Sequence, residues 1–219
     1  MRVSRYAVAA LITALGMLLQ ACAPEVTPEE SCNFVQNSLS QRVSWGSKLP
    51  VKMYIHESVQ DPNQIEAIEA AARSWNEVIG RQAIIIEASY VSGDLNSKKD
   101  SRSFIYMHNT WEENRPTEQA RTTIYWNGNR INEADIKINA KNFRYSANPT
   151  AKSGWVDLES LMIHEMGHVL GLSHLDHRKS VMATTLPSGS LRRDVSDEDK
   201  KNLSCEYPID APVTSLAGV

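Results

Sequence analysis

The sequence predicts a single α+β domain, a mixed α/β sheet with helices on one side, and three observations carry that prediction. Stretches with apolar residues on alternate positions are interleaved with a longer stretch whose apolar residues recur every three or four positions. The elements follow the order strand, helix, several strands, then helices. At 219 residues, 42% hydrophobic and 22% charged, the chain is globular in composition and can bury one sizeable core but hardly two.

Each element has its own local warrant. Leu49–His56 (LPVKMYIH) sets Val51, Met53 and Ile55 against Lys52, Tyr54 and His56, the alternation of a half-buried strand. Asp61 and Pro62 then open a helix as N-cap and first helical residue; Ile65, Ile68, Ala72, Trp75 and Val78 mark its apolar face, and Gly80 stops it. Ala83–Ala88 and Ser103–Met107 read as strands separated by the loop SGDLNSKKDS. Thr122–Trp126 and Glu133–Ala140 are two more, joined through the turn signal Asn127-Gly128-Asn129. Asp157 can cap a helix that runs to Leu170, and Ser196 to Asp199 fits a capping box opening the last helix. Between them Gly171–Val195, a loop of about 25 residues, is long enough to expect a function for it.

The two ends read differently from the middle. Arg2 and Arg5 precede an uncharged apolar run, Tyr6–Leu19, too short for a membrane span and suited to an export signal. Leu19-Gln20-Ala21-Cys22 resembles the lipobox of bacterial lipoproteins, which makes 1–21 a signal peptide and Cys22 a lipidated first residue; plain cleavage after Ala21-Cys22-Ala23 is the alternative. Residues 22–47, polar with early prolines, read as a tether, 48–210 as the main folded domain and 211–219 as a tail. Cys32 and Cys205 are the remaining cysteines, an even count that reads as a disulfide in an oxidising envelope. The expected location is therefore the bacterial cell envelope, outer membrane or surface, with the chain held by its lipid and otherwise monomeric. The formal net charge moves from −3 to −5 when Arg2 and Arg5 leave with the signal, and no basic run exceeds two residues, so nucleic acid is excluded as a partner.

The chemistry concentrates in HEMGHVLGLSH, residues 164–174, which holds three of the chain's six histidines. Four residues apart on a helix, His164 and His168 lie about 40° apart around the axis and one turn along it, so both imidazoles can face one metal. Glu165 sits on the flank, able to reach the attacking water without ligating. Gly171 can take positive φ and swing the chain back, bringing His174 in as a third nitrogen ligand. Three neutral imidazoles suit zinc and leave a fourth position open, the arrangement of a catalytic site. Chance alone would produce this spacing on the order of once in 100,000 such sequences, which sets aside core histidines as the explanation.

With Ser180-Val181-Met182 downstream, this stretch resembles the metzincin zinc endopeptidases, and among them the matrixins, the matrix metalloproteinase-like branch. The similarity runs from about Leu49 to Tyr207. It implies a twisted, mostly parallel sheet of about five strands with about three helices, an active-site helix and a Met-turn. It also implies one zinc held by His164, His168 and His174, Glu165 as general base, Gly171 as the pivot and Met182 as the Met-turn residue beneath the metal. The peptide substrate would lie antiparallel along the strand Thr122–Trp126, and the loop Ala183–Val195 would shape the pocket for the residue after the cut. The chain departs from the family at Ala183-Thr184-Thr185, where matrixins usually carry Tyr-Pro, and no structural calcium or second-zinc loop is recognisable between Ser92 and Lys141; calcium is open.

His177, three residues beyond His174, reads as exposed loop rather than ligand. Asp176 could orient an imidazole, though a surface carboxylate is the simpler reading. His56 and His108 are isolated, solvated or packed, and the five tryptophans read as core or cleft-lining. The functional expectation is a zinc endopeptidase acting on peptide or protein. Its competitors are a non-catalytic, zinc-stabilised lipoprotein that binds a partner and a zinc amidase acting on cell-wall peptide.

Overall fold

The computed structural model describes residues 29–95, 98–177 and 179–209. The signal peptide 1–21, Cys22, the first part of the tether and the tail 211–219 lie outside the described residues. Ten elements follow in order: β1 (Val51–His56), α1 (Pro62–Ile79), β2 (Ile84–Val91), β3 (Ser103–His108), β4 (Ala120–Asn127), β5 (Arg130–Asn139), β6 (Tyr145–Ser146), β7 (Val156–Asp157), α2 (Leu158–Val169) and α3 (Asp197–Leu203). Among these residues no helix is long and apolar enough to cross a membrane.

Five strands form one sheet in the order β2-β1-β3-β5-β4. The pairings β1–β2, β1–β3 and β3–β5 are parallel, and only β4 runs antiparallel, against β5. The β4–β5 hairpin turns through Gly128 (φ +60), beyond the Asn127–Arg130 pair. Period-two alternation sends Met53, Ile55, Ile105, Ala134, Ile136 and Ile138 into the core. Onto this face α1 packs Ile65, Ile68, Ala72, Trp75 and Ile79. Asp61 caps α1 by accepting from the Asn63 amide at 2.9 Å, and Gly80 ends it at φ +79. The Trp75 indole donates to the Ile163 carbonyl at 2.9 Å, fixing α1 against α2.

Two expectations are corrected here, and one element is new. Residues 29–47 do not form a free tether: Phe34, Val43 and Trp45 are buried in the domain core, where each contributes roughly 1.5–3 kcal/mol of apolar burial. Trp126 is neither core nor cleft-lining, being 41% exposed near the hairpin end. The two-residue parallel pair β6–β7 was not anticipated, because two residues are too short to show an alternation. His56 and His108 are both buried, so packing is their correct reading.

Candidate metal centre

The centre is built where α2 ends. Asp157 caps α2 by accepting from the Ser160 amide at 2.9 Å, and the helix carries His164, Glu165 and His168 into the floor of a cleft. After Leu170 the chain turns at Gly171, φ +103, and brings His174 back over the helix. The Nε2 atoms of His164 and His174 each lie 3.1 Å from that of His168. Among the described residues these three are the one cluster of potential ligands tight enough to share an ion.

The proton positions follow from the neighbours. His164 Nδ1 lies 2.7 Å from the Val181 carbonyl and His168 Nδ1 2.7 Å from the Leu172 carbonyl. A carbonyl only accepts, so both Nδ1 atoms carry the proton and both Nε2 atoms present lone pairs. Burial lowers both imidazoles to about pKa 4, so they are neutral at pH 7. Lone pairs facing each other at 3.1 Å repel unless a cation lies between them. Zinc–nitrogen bonds of about 2.0–2.1 Å in a tetrahedron place their nitrogens roughly 3.3 Å apart, so zinc fits the donor set.

The supporting groups come from distant segments. Asp199 of α3 accepts from the Ser180 hydroxyl and, at 3.0 Å, from the Val181 amide, which holds the turn whose carbonyl orients His164. Met182 is fully buried beneath the helix, and a Cβ added to Gly167 would stand 2.3 Å from its sulfur. Glycine at 167 thus leaves the space that the Met182 thioether and the Trp75 ring occupy against α2. Asp176 accepts from the Thr184 hydroxyl at 3.3 Å, and the orienting of His164 and His168 belongs to backbone carbonyls. His177 is exposed, 3.8 Å from the Glu198 carboxylate, outside the triad.

Glu165 is buried at 4% exposure, and burial pushes its carboxyl above the usual carboxylate range. The Thr122 hydroxyl of β4 donates to its Oε2 at 2.6 Å. Sequence reasoning had assigned Thr122 only to the strand beside the cleft; nothing local signals a partner 43 residues away. That strand, β4, is an edge of the sheet, as substrate pairing along it requires.

The cleft holds about 640 Å³ and is lined by β4, by the α2 face carrying Leu161 and Glu165, by Leu172 and His174, and by Ala183–Leu186. The two arginines of GSLRRDV do not enter its lining. Arg193 grips Asp157 through two nitrogens, at 3.0 and 2.6 Å, and Arg192 reaches the Ala183 carbonyl at 3.4 Å. Arg193 thus fixes the loop to the start of α2 and Arg192 ties two parts of the loop together, so the lining there is left to Leu161, Leu186 and small side chains such as Thr184 and Thr185. Cys32 and Cys205 are joined by a disulfide across 173 positions of sequence.

The model of the peptidase M10 family, described as Matrixin, matches residues 51–207. Metalloendoproteinase 2-MMP of Arabidopsis thaliana is 38% identical over 52 residues, which is 24% of this chain and 14% of that protein. The alignment thus covers far less than two thirds of the relative's length.

Proposed function

The chain belongs to the matrixin family, and from that premise we propose that it is a zinc endopeptidase of the bacterial envelope, with His164, His168 and His174 as ligands and Glu165 as general base. The observation that carries this reading is the convergence of three imidazole Nε2 atoms beside a buried carboxyl on the floor of an open cleft. Zinc bound there supplies Lewis acidity, polarising the scissile carbonyl and lowering the pKa of the attacking water towards 7. Glu165 takes that water's proton and passes it to the departing nitrogen. Its raised affinity for a proton, a consequence of burial, suits both transfers. The outer edge of β4 offers main-chain donors and acceptors to an extended peptide, and a cleft along a strand admits a chain that continues past both ends, as endoproteolysis needs. Leu161 and Leu186 favour an apolar residue after the cut.

The test is mass-spectrometric cleavage profiling of the full-length protein on a mixed peptide library, with the Glu165→Ala protein as the subtracted blank. Cuts that vanish in the blank and precede apolar residues support the proposal. Zinc-loaded, folded protein that cuts no peptide would sink it and favour a binding role.

Thr122→Val removes the hydroxyl that holds Glu165 while keeping the shape and the strand. The expected result is a fall in kcat of about tenfold with KM little changed, because one hydrogen bond to a charged group contributes about 1.5 kcal/mol or more. Steady-state kinetics on one cleaved peptide decides it.

Export through residues 1–21 and lipid anchoring at Cys22 complete the proposal, supported by the lipobox-like sequence. Cys22→Ala is expected to move the protein from the membrane to the soluble fraction, and membrane retention by that variant would remove the anchor.

A further inference from the structure

Helix α2 leaves its last carbonyls without helical partners, as every helix does, and here the chain must also change direction within a few residues to deliver His174. Five consecutive carbonyls are involved, 169 to 173, and each has a donor. The Trp45 indole donates to Val169 at 2.7 Å, the Tyr207 hydroxyl to Leu170 at 2.6 Å, the Val35 amide to Gly171 at 2.9 Å, His168 Nδ1 to Leu172 at 2.7 Å and the Asn33 side-chain amide to Ser173 at 2.7 Å. The Ser173 amide in turn donates to the Asn33 carbonyl at 2.7 Å. Three of the five donors therefore belong to residues 33–45, the segment that composition alone makes look like a linker.

The same segment closes over the turn. A Cβ at Gly171 would lie 2.4 Å from the Val43 carbonyl oxygen and 3.1 Å from the Phe34 ring, and Val35 reaches the cleft lining. Its free end is fastened by the Cys32–Cys205 disulfide, one residue before Asn33, to the residues that follow α3. His174 itself is exposed, so no burial holds it in place. Its position depends on the backbone of residues 171–173, which the Gly171 and Leu172 amides tie to α2 on one side and the strap ties at Gly171 and Ser173 on the other.

We infer that Asn33 and Val35 are positioning residues for the ligand His174, and that the Cys32–Cys205 disulfide, by locking them, is the condition for tight zinc retention. The inference rests on the reading of the three histidines as zinc ligands. Its functional consequence is a built-in order of events. While both cysteines are thiols the Asn33 end of the strap loosens from the turn, with Phe34, Val43 and Trp45 still in the core, and zinc is lost faster. Oxidation joins the two sulfurs with loss of two protons and two electrons, taken up by a disulfide-bearing oxidant that becomes a dithiol, and the site then holds its metal. A peptidase built in this way would mature only in an oxidising compartment.

The experiment measures zinc dissociation from the full-length folded protein with a chromogenic chelator, together with the d–d absorption of the cobalt-substituted form. Three proteins are compared: the oxidised parent, the Cys32→Ser/Cys205→Ser double variant, and Asn33→Gly. The glycine keeps the left-handed backbone at position 33 (φ +59) and the disulfide, and deletes only the side-chain clamp. Loss of such supporting contacts typically costs 10–100-fold in metal affinity, so both variants should release zinc at least tenfold faster and show altered cobalt spectra while near-ultraviolet circular dichroism stays native. If both are folded and release zinc within twofold of the parent, the inference is wrong. Should the double variant fail to fold, Asn33→Gly alone decides between these results. An oxidised parent that binds no zinc would instead overturn the ligand assignment itself, which separates the two failures.

Discussion

Glu165→Gln is expected to bind zinc as the parent does and to lose about three orders of magnitude in kcat. The first half follows from geometry: Glu165 is not among the three groups whose nitrogens converge, and glutamine keeps an oxygen for the Thr122 hydroxyl. The second follows from chemistry. An amide has no useful proton affinity near neutral pH, so the attacking water keeps its proton and the departing nitrogen receives none from this position. General acid–base catalysis contributes about 10²–10⁴-fold, and a thousandfold loss corresponds to roughly 4 kcal/mol in the barrier. Zinc stoichiometry and steady-state kinetics on the same preparation are the measurements. Retained zinc with parental kcat would remove Glu165 from the mechanism, and lost zinc would make it a ligand or a structural support. Because Glu165 sits buried in the cleft floor, folding must be compared too, and the isosteric glutamine is chosen to keep that comparison clean.

The parts of this molecule that were legible in the sequence are those encoded over one or two turns of chain. Asp61, Pro62 and Gly80 bound α1 because capping and left-handed termination are local demands. His164 and His168 face together because four residues make about one turn of helix. The order of strands and helices was readable for the same reason, each element carrying its own period. What was missed lies in pairings over long separations. Nothing near Thr122 reveals that its hydroxyl serves Glu165, and nothing in GSLRRDV reveals that Arg193 is spent on Asp157. Asp199 was readable as a helix cap, which it is, but its second task of holding Ser180 and Val181 appears only when α3 is placed beneath the turn. Residues 29–47 were misread most thoroughly. Their few apolar side chains show neither period, because Phe34 and Trp45 are buried against partners more than a hundred residues away and the Val43 backbone lies against the turn at Gly171.

Gly171→Ala should be among the most disruptive single changes available in this chain, even though it adds one methyl group to a loop. Two separate costs apply. At φ +103 an L side chain is strained, by roughly 1–3 kcal/mol, and the added Cβ would meet the Val43 carbonyl oxygen at 2.4 Å, a backbone atom that cannot rotate aside. Relief requires either the turn or the strap to move, which adds roughly another 1–3 kcal/mol of overpacking. The expected loss is therefore about 2–6 kcal/mol, measured by denaturant unfolding of the metal-free protein. Gly128→Ala is the matched control: it too sits at positive φ, +60, but nothing lies within 4 Å of its added Cβ, so only the backbone strain remains, about 1 kcal/mol. The two glycines together separate strain from collision. The same displacement moves His174, since the turn at 171 is what returns it to His164 and His168, so the variant should also release zinc faster at temperatures where it is still folded. If Gly171→Ala proved no worse than Gly128→Ala and kept its zinc, the turn and the strap would be loosely packed in solution, and the dependence of the third ligand on residues 33–45 would go with them.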